Sequence, residues 1–189
     1  MNWQDRLDNY HQVTGFPQGL FIAGDGRVVG TWILGNNYQV KSGYYGGYPN
    51  TYLRRVRALF PDISRTLHLF SGQVDLEAFP GDTVDINPTL NPTFVDDAQT
   101  LTGVPLENYD LILADPPYSI EDSERYQNSM IKRNVVMRNL QRCRPGTYVG
   151  VLDQVLWQWR KEAFALQAVI GIVRSTNHRF RVLSIFQRL

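Results

Sequence analysis

Asp115, Pro116, Pro117 and Tyr118 close a short apolar run, Leu111-Ile112-Leu113-Ala114, and residues of these types in this order could manage one demanding piece of chemistry. An exocyclic amine on an aromatic ring is a poor nucleophile because its lone pair is delocalised into the ring. Two acceptors placed on the NH2, a carboxylate (Asp115) and a backbone carbonyl (Pro116), draw that lone pair out of conjugation. Consecutive prolines suit the second role, since their φ is locked and neither nitrogen can donate a competing bond. Tyr118 then offers an aromatic face on which a base removed from its helix can stack. The same four residues also suit an ordinary strand-ending turn, because Asp and Pro are common there.

Residues upstream supply what a nucleotide-like cofactor would need. Thr66-Leu67-His68-Leu69-Phe70-Ser71-Gly72 is an apolar run ending in small residues, placed like the first strand and glycine turn of a nucleotide-binding α/β domain. Seventeen positions beyond His68, Asp85 ends a second apolar run, Thr83-Val84-Asp85, at a spacing that suits a carboxylate gripping ribose hydroxyls. Val95-Asp96-Asp97-Ala98 then sets two acids ahead of what reads as a short helix.

With these stations in order, residues 42–189 resemble a small S-adenosylmethionine-dependent amino-methyltransferase of the DNA N6-adenine and N4-cytosine group, cofactor motif ahead of catalytic motif. The resemblance implies S-adenosyl-L-methionine as cofactor and Asp115, Pro116, Pro117 and Tyr118 as the catalytic motif. It implies a cofactor site drawn from Tyr45, His68, Phe70, Ser71, Gly72, Asp85, Asp97 and Asp115, with Asp97 at the adenine and Tyr45 in the Gly/Tyr-rich segment that closes over the methionine end. Tyr118, Ser119 and Tyr126 fall to the target base. The family's glycine turn reads acid-x-Phe-x-Gly-x-Gly, whereas this chain has His68 for the acid and Val74 for the second glycine. An Asp in the first catalytic position goes with adenine, so the implied reaction is methylation of N6 of adenine in DNA. A non-catalytic subunit paired with an active enzyme stays open because of these departures from the glycine turn, and an RNA acceptor because no stretch of ~80 residues remains for a separate target-recognition domain. A homo- or heterodimer is compatible with that shortage.

Charge is strongly segregated. Residues 66–124 hold 12 acidic and no Lys or Arg residues, while 125–189 hold 12 basic and 2 acidic. The acidic middle suits a cofactor that is cationic at sulfur, and the basic flanks suit a nucleic-acid backbone, which the resemblance implies is DNA ahead of RNA. Neutralisation within the fold would produce the same balance. No apolar run approaches the ~18 residues of a membrane span, and Met1-Asn2-Trp3-Gln4-Asp5 lacks the basic start of a signal peptide, so a cytoplasmic protein without membrane contact is expected. One cysteine, Cys143, and three scattered histidines build no disulfide or zinc site, and no metal is expected.

These residues need a frame of short buried strands. The expected fold is α/β: a Rossmann-like methyltransferase fold, a mostly parallel sheet with a C-terminal antiparallel hairpin. Residues 1–41 form a small N-terminal β-hairpin module packed on the catalytic domain 42–189, its strands joined by Gly24-Asp25-Gly26-Arg27, a strong hairpin signal. A helix starts near Asn50 as N-cap and is ended by Pro61. A polar loop spans 119–126, and a basic helix runs over 127–142. The last two strands, 168–173 and 180–186, stand too close for a helical crossover and must be antiparallel. Trp157 and Trp159 are read as packed against the sheet.

Overall fold

The computed structural model describes residues 1–35, 48–49, 51–117, 131–174 and 180–189. Three helices, α1 (Trp3–Thr14), α2 (Tyr52–Leu59) and α3 (Arg133–Asn139), accompany nine strands among the described residues. The strands are β1 (Leu20–Ile22), β2 (Val28–Leu34), β3 (Thr66–Leu69), β4 (Asp82–Asp85), β5 (Phe94–Val95), β6 (Leu111–Ala114), β7 (Tyr148–Asp153), β8 (Phe164–Arg174) and β9 (Phe180–Arg188). All belong to one sheet, in the order β1-β2-β8-β9-β7-β6-β3-β4-β5.

From β5 to β7 the neighbours are parallel. β9 lies between β7 and β8 and is antiparallel to both. The order reverses between β3 and β6, which makes their carboxyl ends the topological switch point, where open α/β sheets bind ligands. A doubly wound parallel sheet with an antiparallel C-terminal hairpin slotted into it is the Rossmann-like methyltransferase fold. The N-terminal hairpin joins this sheet directly, since β2 pairs in parallel with β8 from Val28↔Ala168 to Leu34↔Arg174.

β3 and β6 are buried on both faces along their length, as central parallel strands must be, and this explains their unbroken apolar runs. On one side of the sheet α1 and α2 cover Leu111, Leu113, Leu152 and Leu183. On the other, α3 and the loops around Leu101 and Trp157 cover Leu67, Leu69, Ile112 and Val149. α1 begins at Asn2, whose side chain accepts the Asp5 N–H at 2.9 Å, and ends at Gly15 in the left-handed conformation (φ 62°), the usual device for closing a helix. The buried Arg6 locks α1 to the end of α2, donating to Leu59 O at 3.0 Å and pairing with Asp62.

Three expectations on local structure change. The acids Asp96 and Asp97 open a turn, not a helix: Asp96 accepts from the Asp97 and Gly103 N–H groups and the Thr100 hydroxyl, and Asp97 accepts from the Gln99 N–H. Side chains that capture nearby donors in this way compete with the helical ladder. The basic helix is α3, shorter than 127–142 and followed by a 3₁₀ turn over Leu140–Arg142, with 127–130 outside the described residues. Asn50 is also outside them, and Thr51 precedes α2 with φ 65° and no side-chain cap. No helix among the described residues is long and apolar enough to cross a membrane.

Candidate active site

The parallel strands deliver one group of side chains to their carboxyl edge. β3 runs into Phe70-Ser71-Gly72, β4 ends at Asp85, β5 leads to Asp96 and Asp97, β6 leads to Asp115-Pro116-Pro117, and β7 ends at Asp153. The turn after β3 is tight. Phe70 and Gly72 both take left-handed backbone conformations, φ 55° and 50°, and Phe70 does so at the cost in strain that non-glycine residues bear there. Ser71 is buried and donates its N–H to Val84 O at 3.1 Å. Gly72 donates its N–H to Asp85 Oδ2 at 2.9 Å, and Asn87 donates to Asp85 Oδ1 at 2.9 Å. The turn and the acid expected to share a cofactor thus touch across β3 and β4. One N–H on each oxygen fixes the Asp85 carboxylate and leaves each oxygen with further acceptor capacity. Asp97 lies two residues beyond β5, next to this pair in the sheet.

His68 is placed otherwise. It is fully buried in mid-strand, its Nε2 3.1 Å from Phe79 O and its ring edge-on to Phe79 and Tyr48. Burial pushes its imidazole down to about 4, so the ring is neutral at physiological pH. His68 is therefore a core histidine, and the backbone of 70–72 is what reaches the edge.

Asp115 follows β6 at the switch point, half-buried, with Pro116 buried behind it. Burial pushes its carboxyl up to about 7; the Arg181 guanidinium pulls the other way and the Asp153 carboxylate adds to the rise. Two phenols lie in its field. Tyr48 and Tyr52 stack with centroids 5.0 Å apart and planes 11° from parallel. Burial and the Asp115 charge hold both hydroxyls well above the usual tyrosine range. Both hydroxyl oxygens, like His68 Nδ1, are buried with no hydrogen-bond partner among the described residues. Buried O–H donors of this kind are costly unless something meets them.

Of the residues expected at the site, Phe70, Ser71, Gly72, Asp85, Asp97, Asp115, Pro116 and Pro117 come to this one edge, and His68 does not. Tyr45, Tyr118, Ser119 and Tyr126 lie outside the described residues. Reading the sequence missed Tyr52 and Asp153. The latter is fully buried and receives four donors: Arg133 Nε at 2.7 Å and Nη2 at 3.2 Å, Trp157 Nε1 at 2.6 Å, and its neighbour Gln154 N–H at 2.6 Å. It ties the start of α3 and the segment after β7 to the sheet beside Asp115. Its signal was an isolated acid closing an apolar strand in a basic third of the chain. Trp157 is buried and Trp159 packs on Phe186, with centroids 5.3 Å apart, as expected.

No family model matches the chain, and no curated protein matches it. Among solved structures, it is similar to an rRNA methylase from Streptococcus thermophilus, with 10% identity and a TM-score of 0.45, covering 68% of this chain and 89% of that one. A Streptococcus mutans protein described as a methyltransferase in complex with SAH gives 12% identity and a TM-score of 0.44 over 67% of this chain and 86% of that one. A glycopeptide N-methyltransferase complexed with sinefungin gives 12% identity and a TM-score of 0.41 over 82% and 75%. At such identities the chemistry and the acceptor rest on this chain's own residues.

Proposed function

We propose that the chain is an S-adenosylmethionine-dependent methyltransferase acting on the exocyclic amine of a nucleic-acid base, with N6 of adenine in DNA as the finer reading and adenine in RNA as an equal alternative. The observation that carries it is the meeting, at the switch point, of Asp115-Pro116-Pro117 with a glycine turn bonded to Asp85. The residues fit the cofactor chemically. Asp85 has acceptor capacity for ribose hydroxyls, the 70–72 turn offers close backbone approach, and residues 66–117 contain no Lys or Arg to repel a sulfonium. Bound there, S-adenosylmethionine would supply an electrophilic methyl group.

The rest falls to the chain. Asp115, ionised, and the Pro116 carbonyl accept hydrogen bonds from the two amine protons and turn the lone pair outward. No strong general base is needed, because the proton can leave after positive charge has developed on nitrogen and Asp115 already faces it. Tyr118, by the resemblance, is the stacking platform. The basic C-terminal third fits a phosphate backbone.

Asp85→Ala is expected to weaken binding of S-adenosylhomocysteine roughly 10- to 100-fold, the worth of one or two hydrogen bonds to a charged acceptor, as read by titration calorimetry. Unchanged affinity would remove Asp85 from the cofactor site. The acceptor class is tested by incubating the protein with methyl-labelled S-adenosylmethionine and, in parallel, unmethylated DNA or RNA. Label in the DNA pool supports the finer reading, label in the RNA pool alone the alternative, and label in neither contradicts both.

A further inference from the structure

The strands that build the cofactor turn and lead into Asp115 bring no cation with them, since residues 66–117 contain no Lys or Arg. The C-terminal hairpin brings one. β9 is inserted between β7 and β8, and its register fixes where Arg181 falls. Ala114 pairs with Val151, Val151 with Ser184, and Leu152 with Leu183. Asp115, the residue after Ala114, therefore stands in the row of Leu152 and Leu183, and Arg181 stands two residues nearer the carboxyl edge on β9. The faces agree as well. Leu113, Leu152 and Leu183 lie under α1 and α2, and strand alternation puts Asp115, two beyond Leu113, and Arg181, two before Leu183, on that same face. Tyr52, buried on α2, lies in the field of both. Two strand spacings of about 4.8 Å and two residues of about 3.3 Å set the Cα atoms roughly 12 Å apart, a gap that a long arginine and an aspartate narrow from both ends. Between them lies Leu152, fully buried, over which the aliphatic stem of an arginine can lie while its head stays at the edge.

We propose that Arg181 is a positioning residue, the counter-ion of Asp115: its guanidinium, carried over Leu152 by β9, keeps the carboxylate charged and turned toward the amine. The inference rests on the reading of Asp115 as the acceptor of the amine bond. A carboxyl in an apolar layer tends to keep its proton, and a protonated Asp115 donates where the transfer needs an acceptor. The other groups around it do not meet that need. Asp153 on β7 is a second acid, and its cation, Arg133, is turned to it with bonds of 2.7 and 3.2 Å. Tyr48, Tyr52 and His68 are neutral. Arg174 ends β8 two residues beyond Ile172, the register partner of Arg181, and shares its face by alternation, which adds to a positive edge. Arg181 is the cation, among the described residues, whose field reaches both Asp115 and Tyr52. The insertion of β9 thereby gains a consequence: at the outer side of β8 it would hold its arginine one strand further from Asp115.

The test is direct titration of the Asp115 carboxyl by carbon-13 NMR, its signal assigned by absence in Asp115→Asn, with the pH profile of methyl transfer measured beside it. Loss of a nearby cation in Arg181→Met is expected to raise the carboxyl midpoint by about one unit or more. The acid limb of the profile should move with it, so that turnover near pH 6 falls about tenfold while turnover well above the limb and S-adenosylhomocysteine affinity stay within a few-fold. Arg181→Lys keeps the charge and should hold the midpoint close to wild type. Arg138→Met removes an exposed cation from α3, on the other side of the sheet, and should not move it. Arg181→Gln gives the same comparison should the methionine variant fail to fold, which circular dichroism reports. A midpoint unchanged by loss of the Arg181 charge, or moved equally by Arg138→Met, overturns the proposal. A midpoint that rises in a protein that transfers no methyl group upholds the pair and contradicts the methyltransferase reading, so the two failures are told apart.

Discussion

Asp115→Ala is expected to lower methyl transfer by at least about 100-fold, the usual loss when a group stabilising transition-state charge is removed, while S-adenosylhomocysteine affinity stays within a few-fold. The second half separates a residue that acts on the amine from one that holds the cofactor. The pH dependence adds an independent reading. With its carboxyl pushed up to about 7 by burial, only the ionised fraction of Asp115 can accept both the amine bond and the departing proton. Turnover should therefore fall about tenfold per pH unit below about 7 and level off above it. The same shift has a stability consequence of opposite sense. An unfolded Asp releases its proton near the usual carboxylate value of about 3.9, and the folded one holds it to about 7. The folded state therefore binds more protons in between, and the stability this contributes is lost as pH rises through that window. Asp115→Asn should consequently melt higher than the wild type above about pH 7, by roughly 1–3 kcal/mol after discounting for partial exposure, with little difference near pH 4. A substitution that stabilises the fold while impairing turnover is the pattern of a functional site held against its own stability. Full turnover in Asp115→Ala would exclude Asp115 from the chemistry.

Asp153→Ala should have the largest effect on stability, about 3–5 kcal/mol, because removing one member of a buried ion pair strands the other. Here Arg133 and the indole N–H of the buried Trp157 both lose their acceptor. For a chain of this size that is a fall in melting temperature of roughly 10 °C or more, measurable by calorimetry. An unchanged melting temperature would mean that the four donors around Asp153 find other partners, and would remove it as the clamp between α3 and β7. Because Asp153 also adds to the rise at Asp115, Asp153→Asn should move the acid limb of the pH–rate profile to lower pH.

Those parts of the frame that rest on local pattern were legible. β3 and β6 are unbroken apolar runs because both faces are buried, the Asp-Gly pair closed the first hairpin, and the short link before Phe180 forced β8 and β9 to be antiparallel. The insertion of β9 between β7 and β8 was not legible, since neither periodicity nor spacing says which strand a hairpin will pair with. At Asp96 and Asp97 the pattern of acids ahead of a helix misled, because the carboxylates bonded their own turn instead of capping a helix. At the site, Asp85 followed from spacing, and its bond to the Gly72 N–H gave that spacing a physical meaning. His68 shows the limit of a motif: it occupies a cofactor position in sequence, yet its ring is buried against Phe79. Tyr52 and Asp153 were hidden because only the fold brings Tyr52 into the field of Asp115 and Asp153 to Arg133.

The most direct measurement is the identity of the methylated atom. After transfer from methyl-labelled S-adenosylmethionine, DNA and RNA acceptors would be digested to nucleosides and the labelled product resolved by chromatography and mass spectrometry. The roles proposed for Asp115 and the Pro116 carbonyl predict label on an exocyclic nitrogen, as N6-methyladenine, in the wild type and not in Asp115→Ala. Label on a ring carbon or a ribose oxygen, or equal N6 labelling by the alanine variant, would contradict it.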